Sequence, residues 1–395
     1  MPSRTDEAIH PFEFSFPDTE LRDLRARVKA THWPDKETVH DRSQGTQLAT
    51  IKDLARYWEF EYDWRSVEED LRSVPHFTTE IDGLDIHFIH VRSRHEDALP
   101  LILTHGWPGS IIQQLKIIAP LTNPTEHGGD ASDAFHLIMP SLPGYGFSGK
   151  PTETGWNPER IARAWAELMA RLGYGHFAAQ GGDWGAIITE LMGVQAPQGL
   201  VGFHTNMAGA VPPDIDQALA SGQPVPTGTD LTAEEQHAVE QLSSAYSHVT
   251  YASMMASLPQ SLTALADSPA GLAAFMLDPG LELIPRAFGG ESDGLTRDDV
   301  LDNITFFWLT NTAISAARLY AENRTPFFSA KGVTLPVAVS AFPGELYQPP
   351  RSWAERAYPH LVHYNQPPRG GHFPAWEQPA IFVDEVRTGL RSLRP

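Results

Sequence analysis

Short, continuously apolar or β-branched runs recur along this chain with helical segments between them, and that alternation constrains the fold more than any other feature. Residues 77–81 and 84–91 flank Asp82-Gly83, a two-residue hairpin signal between β-rich runs. Further runs follow at 99–104, 135–139, 177–180, 201–205, 333–340 and 361–364. Most suit strands covered on both faces, and strands alternating with helices imply a mostly parallel α/β sheet flanked by helices. The clearest intervening helix has Asn157 as N-cap and Pro158 first, carries Ile161, Trp165, Leu168, Met169 and Leu172 on one face, and stops at Gly173.

Two sections lack the β-pattern. Residues 1–76 read as helical: Asp18 caps a helix over 19–30 with Leu21, Leu24 and Val28 at helical spacing, and Trp33-Pro34-Asp35 ends it. A second helix over 47–60 aligns Leu48, Ile51, Leu54, Ala55 and Trp58, and both stripes read as core packing. Residues 212–324 open with Pro212-Pro213, pass a Gly/Pro/Thr-rich stretch at 221–229, and are otherwise helical. At 395 residues, against about 150 per domain, the chain has room for one large fold with an insertion. The expected division is an N-terminal segment 1–76, a sheet core 77–211 and 325–395, and a helical cap 212–324.

Charge narrows the partners. The chain has 49 acidic against 29 basic residues, a formal net charge of −20, which repels phosphate backbones and anionic lipid. No nucleic acid and no membrane partner is expected. The absence of cysteine removes disulfides, thiolate catalysis and Cys-based zinc sites. Met1-Pro2-Ser3-Arg4-Thr5 has no apolar leader region, and no run of about 18 apolar residues occurs, so a soluble cytoplasmic protein is expected.

The chemistry gathers at strand ends. Gly181-Gly182-Asp183-Trp184-Gly185-Ala186 follows the 177–180 run and opens a helix. Small residues flanking the central position permit the strained strand-to-helix turn that exposes a nucleophile, here Asp183; the competing reading is a capping Asp at a helix N-terminus. His105-Gly106-Trp107-Pro108 ends the 99–104 run, where an α/β-hydrolase carries its oxyanion loop. The backbone N–H groups of Trp107 and Trp184 together can hold a tetrahedral oxyanion. The 337–340 run leads into Phe342-Pro343-Gly344-Glu345, and Arg369-Gly370-Gly371-His372-Phe373 follows the last run. Asp183, Glu345, His372 is the hydrolase order of nucleophile, acid and base.

Aspartate changes the reaction class. Attack on an ester carbonyl would give an anhydride, whereas attack on saturated carbon leaves an alkyl-enzyme ester, with halide or a ring-opened epoxide oxygen as the leaving group. His372, oriented by Glu345, then activates water against the Asp183 carboxyl carbon. An epoxide also needs an acid for its nascent alkoxide, and tyrosine, with a pKa near 10, is suitable.

At these residues the chain resembles the epoxide hydrolases of the microsomal and juvenile-hormone type. Thr31-His32-Trp33-Pro34 and Tyr62-Asp63-Trp64-Arg65 are similar to that family's N-terminal domain, which wraps the core, and Asp267-Ser268-Pro269-Ala270-Gly271-Leu272 is similar to a signature in its cap. The resemblance implies an α/β-hydrolase fold and conversion of epoxide to vicinal diol without metal or organic cofactor. The partners it implies are a small-molecule epoxide and water, with a homodimer as the one assembly left open. Of the family's two ring-opening tyrosines, Tyr320 lies in the matching Leu319-Tyr320-Ala321-Glu322-Asn323. The other is placed upstream of Pro259-Gln260-Ser261-Leu262, which selects Tyr251. Leu258 replaces the basic residue usual before that proline and the spacing is a residue shorter, so Tyr246 is the fallback. Animal microsomal members carry an N-terminal membrane anchor that this chain's start does not resemble; the chemistry is carried over and the membrane is not. Haloalkane dehalogenase, with the same fold and an Asp-Trp elbow, is the nearest rival, and the aromatic content favours an apolar or aryl epoxide.

Overall fold

A computed structural model of the chain describes residues 7–225, 230–277 and 294–394. Its strands are β1 (His10–Pro11), β2 (His76–Ile81), β3 (Leu84–Val91), β4 (Leu99–Thr104), β5 (Phe135–Pro140), β6 (Phe177–Gly181), β7 (Leu200–Thr205), β8 (Val337–Ser340) and β9 (Leu361–Asn365). They form one sheet in the order β1-β2-β3-β5-β4-β6-β7-β8-β9. The first three join antiparallel to β5, and every pairing from β5 to β9 is parallel. Helices Pro158–Arg171 and Trp184–Gln195 pack together, as do Leu115–Thr122 and Pro379–Leu390. Such covering is what the fully buried β5 and β6 require, since neither strand has a polar face to offer water. The strand order reverses about β4, so the loops leaving β4 and β6 part and open a crevice at the carboxyl edge of the sheet.

Local expectations meet mixed outcomes. The hairpin forms at Asp82-Gly83, both at positive φ (52° and 80°), and Asn157 caps Pro158–Arg171 by accepting from the Arg160 N–H at 3.0 Å. The run expected from 333 becomes a strand only at Val337. Pro336 has no N–H for the ladder, and its carbonyl accepts from Phe203 N instead, at 3.1 Å. The N-terminal section is not purely helical: His10–Pro11 adds an edge strand to β2, and a third helix, Trp64–Arg72, is capped by Asp63. Asp18 is the first helical residue rather than the cap, and its carboxylate pairs with Arg65 at 2.5 Å.

Aromatic packing fastens this section down. Phe12, Phe14 and Phe16 lie 5.2, 4.5 and 6.2 Å from the ring of Phe147, which itself meets Phe306 edge-on at 4.9 Å. Beneath them runs a one-way hydrogen-bond chain. Ser141 Oγ donates to His87 Nδ1 (2.9 Å), His87 Nε2 donates to His76 Nδ1 (2.8 Å), and His76 Nε2 donates to the Leu71 carbonyl (2.6 Å). Those roles require both imidazoles to be neutral.

Between β7 and β8 only helices form among the described residues, from Pro213–Ala220 to Ala313–Glu322; residues 226–229, within the expected Gly/Pro/Thr-rich stretch, lie outside that description. The outgoing and returning chains meet at the bridge Val211–Ser329. Both are held by buried Glu190, which accepts from Gly209 N (2.6 Å) and the Tyr358 hydroxyl, while Lys331 Nζ lies 2.7 Å from its Oε2. Among the described residues no helix is long and apolar enough to cross a membrane.

The neutral histidines make stability depend on pH. Burial lowers the pKa of His76, takes that of His87 well below its usual value, and takes that of His105 to about 4. Between about pH 4 and 6.5 these histidines therefore bind protons in the unfolded chain that the folded chain excludes, so the stability they contribute is complete above that window and is lost as pH falls through it. At roughly 1.4 kcal/mol per pKa unit, the loss at pH 5 is about 2 kcal/mol for His105 alone. Asp302 and His372, raised to about 7 and about 10, pull the other way, so the test is a difference: urea midpoints should fall less from pH 6.5 to 5 in His105→Gln than in the unsubstituted protein, and an equal fall in both would contradict a neutral His105.

Candidate active site

At the crevice, Asp183 takes φ 52° and ψ −126°, a conformation that L-residues avoid. Two glycines make the turn possible. A Cβ on Gly181 would lie 2.0 Å from the Gly185 carbonyl oxygen, and one on Gly185 would lie 2.0 Å from that of Thr104. The Asp183 side chain makes no capping bond to its helix, which removes the capping reading. Instead, Oδ1 accepts from Trp107 N at 2.7 Å and Oδ2 faces His372 Nε2 at 3.2 Å, with the residue 3% exposed. The Trp184 N–H occupies the first helical position, where helices leave donors without an internal acceptor.

His372 and Glu345 arrive on loops that the backbone ties together, Gly344 N donating to the Gly370 carbonyl at 2.9 Å. His372 Nδ1 donates to Glu345 Oε1 at 2.5 Å, and that oxygen also accepts from Leu346 N at 2.7 Å. Burial works against the imidazolium, but the charges and hydrogen bonds of Glu345 and Asp183 outweigh it and hold the His372 pKa at about 10. Burial raises the Glu345 pKa, opposed by the His372 charge.

Two cap tyrosines complete the ring of groups. Tyr251 stacks on Trp107 at 4.8 Å, Tyr320 meets Trp184 edge-on at 4.7 Å, and the two phenols are 6.2 Å apart between centroids. Burial raises both pKa values, and the Asp183 charge adds to it. Tyr246 is engaged elsewhere, its hydroxyl donating to Asp216 Oδ1 at 2.6 Å. The structure thus gathers Asp183, His372, Glu345, Trp107, Trp184, Tyr251 and Tyr320, and leaves Tyr246 outside.

Sequence reasoning missed what steadies the loop after β4 that carries Trp107. Asn303, from the cap helix Arg297–Leu309, accepts from Ser110 Oγ (2.8 Å) and donates to the Pro108 carbonyl (2.6 Å). His105, held neutral by burial, donates from Nδ1 to the Gly106 carbonyl and accepts at Nε2 from Leu142 N. A lone Asn in a helical pattern carries no local signal of such a partner.

A strained aspartate after β6, a carboxylate after β8 and an imidazole after β9 define an α/β-hydrolase whose elbow bears aspartate. Family models agree: one described as epoxide hydrolase N terminus matches residues 9–114, and one described as alpha/beta hydrolase fold matches 100–255. The chain is 49% identical to a protein of Stigmatella aurantiaca named "Putative epoxide hydrolase", over 98% of this chain and 86% of that one. It is 35% identical to epoxide hydrolase 1 of Oryctolagus cuniculus, over 96% and 88%. The crystal structure of juvenile hormone epoxide hydrolase from the silkworm Bombyx mori superposes with a TM-score of 0.85 at 32% identity, covering 99% of this chain and 96% of that one. The chain belongs to the epoxide hydrolases of the microsomal and juvenile-hormone type.

The close packing at the elbow generates a test. A Cβ on Gly106 would lie 2.2 Å from Asp183 Oδ1, so Gly106→Ala must displace the carboxylate. A misplacement of about 1 Å costs on the order of 100-fold, and kcat/KM for an epoxide should fall by at least that much. Near-normal turnover would show that the carboxylate has room to move.

Proposed function

We propose that the protein converts an apolar or aryl epoxide to a vicinal diol in two steps through an ester on Asp183. The observation that carries this reading is one carboxylate held between the Trp107 N–H and His372 Nε2, with two phenols gathered around the same tryptophans. In the first step an Asp183 oxygen bonds to a ring carbon, the ring C–O bond breaks, and a hydroxyl of Tyr320 or Tyr251 gives its proton to the departing oxygen. In the second, once the His372 imidazolium has passed its proton to the phenolate, water adds to the Asp183 carboxyl carbon while His372 Nε2 takes its proton. The Trp107 and Trp184 N–H groups hold the oxyanion, and collapse breaks the ester C–O bond, the carboxyl proton passing to the departing alkoxide to release the diol and restore the Asp183 carboxylate.

The aromatic surroundings support the substrate class. Phe275 packs on Trp107 at 5.9 Å and Phe327 on Trp184 at 4.7 Å, so the walls beside the carboxylate are apolar rings. Paired phenols, rather than indole or amide donors alone, favour ring opening over the halide release of a dehalogenase. A cytoplasmic setting and a homodimer, both expected from the sequence, remain part of the proposal.

Asp183→Ala should abolish diol formation. His372→Ala should alkylate but not turn over, and intact-protein mass should rise by the mass of the epoxide. Steady turnover in that variant would end the two-step scheme. Tyr320→Phe should slow alkylation by about 100-fold while ester hydrolysis stays nearly intact, read by rapid quench on styrene oxide. Equal slowing of both steps would remove the role given to Tyr320.

A further inference from the structure

A small cavity lies against His372, walled by Leu103, Phe373, Trp376 and Phe382 as well as by a group of amide side chains, and neither cap tyrosine contributes to its lining. Its volume is about 40 Å³, and Gln113, Gln114, Gln180, Asn206 and His372 stand in its wall. All four amide residues are at most 4% exposed. Gln180 and Asn206 satisfy one another in part, Gln180 Nε2 donating to Asn206 Oδ1 at 3.0 Å. Gln113 Nε2 and Gln114 Oε1 are buried with no hydrogen-bond partner. One is a donor and the other an acceptor, and buried polar atoms left in this way are characteristically served by ordered water. Water fits because it supplies both functions, and a single molecule needs only roughly 10–15 Å³ of such space.

We propose that this cavity is a water site that supplies the hydrolytic half-reaction from behind His372. The inference rests on the two-step reading above. Once Asp183 carries the alkyl group, that group fills the space toward Tyr251 and Tyr320, and water is best delivered from another side. The cavity is placed for this, since His372 is part of its wall and so are Gly106 and Gly182, the residues flanking the carboxylate. A water moving past His372 meets Nε2, gives up its proton there, and forms its oxygen–carbon bond to the Asp183 carboxyl.

Gln113→Leu, Gln114→Leu and the double substitution, made in the full chain, remove the polar hosts while keeping side-chain bulk. Single turnovers of styrene oxide, quenched and read as intact-protein mass, give the alkylation and ester-hydrolysis rate constants separately. Hydrolysis should fall by about tenfold or more in the double variant, with ester accumulating, while alkylation stays within about twofold. Both constants are first-order in active enzyme, so a partly misfolded preparation leaves their ratio unchanged. Equal slowing of both steps, or unchanged hydrolysis, overturns the water site and leaves the glutamines structural. If His372→Ala traps no ester, the two-step reading falls and this inference with it; if ester is trapped but the Leu variants hydrolyse it normally, this inference alone falls.

Discussion

The backbone strain at Asp183 is the constraint to which the other parts of the site answer. A left-handed φ at a non-glycine residue costs of the order of 1–3 kcal/mol and persists only where the surroundings leave no alternative. Here they leave none: glycine at 181 and 185 lets β6, the helix Trp184–Gln195 and the end of β4 approach to a distance that a single methyl would prevent. The same turn withdraws the carboxylate from its helix and presents one oxygen to Trp107 N and the other to His372. A freely rotating aspartate would solvate itself; this one is fixed and 3% exposed, which suits it to attack carbon.

Electrostatics follow from that placement. The same negative charge raises the pKa of His372 and, after burial, that of both tyrosines. Alkylation would remove it. An ester at Asp183 would take away one of the two anions that hold the imidazolium, so His372 would pass its proton to the phenolate left by ring opening and become the base that the second step needs. As the carboxylate charge fades during attack, the proton-donating phenol would become a better acid, losing an anion that opposed its ionisation. Glu345, which the proposed reaction leaves unchanged, would keep His372 oriented through the contact it makes with Nδ1.

Much of this was legible in the sequence, for a physical reason that differs by element. Strands buried on both faces have to be continuously apolar, so β4, β5 and β6 were visible as runs, and β8 was misjudged only where Pro336 withholds an N–H. The elbow was visible because close backbone approach leaves glycine no substitute. The edge strand His10–Pro11 was not, since two residues have no period to detect and its pairing is with chain more than sixty residues away. Asn303 and the glutamine cavity were silent for the same reason: their partners come from other elements, and nothing beside them in the chain marks the contact. The choice between Tyr251 and Tyr246 rested on a motif with altered spacing. Distance separates them, because Tyr246 is spent on Asp216 while Tyr251 stacks on Trp107.

The proposed nucleophile and proton donors belong to different parts of the chain, the aspartate to the sheet and the tyrosines to the helices between β7 and β8. Their registration therefore depends on ties between those parts. Glu190 sits two turns beyond Asp183 on the same helix and holds Gly209 and Lys331, one on each chain crossing. Asn303 ties the cap helix to the loop after β4 at Pro108 and Ser110. The N-terminal section supplies the third tie: Tyr62 donates to Asp302 at 2.7 Å and Trp64 stacks on Phe306, on the same cap helix that carries Asn303. A section that contributes no reacting atom thus bears on the chemistry through that helix, and the wrapping segment is better understood as part of the machinery that sets the distance between phenol and carboxylate than as a separate appendage.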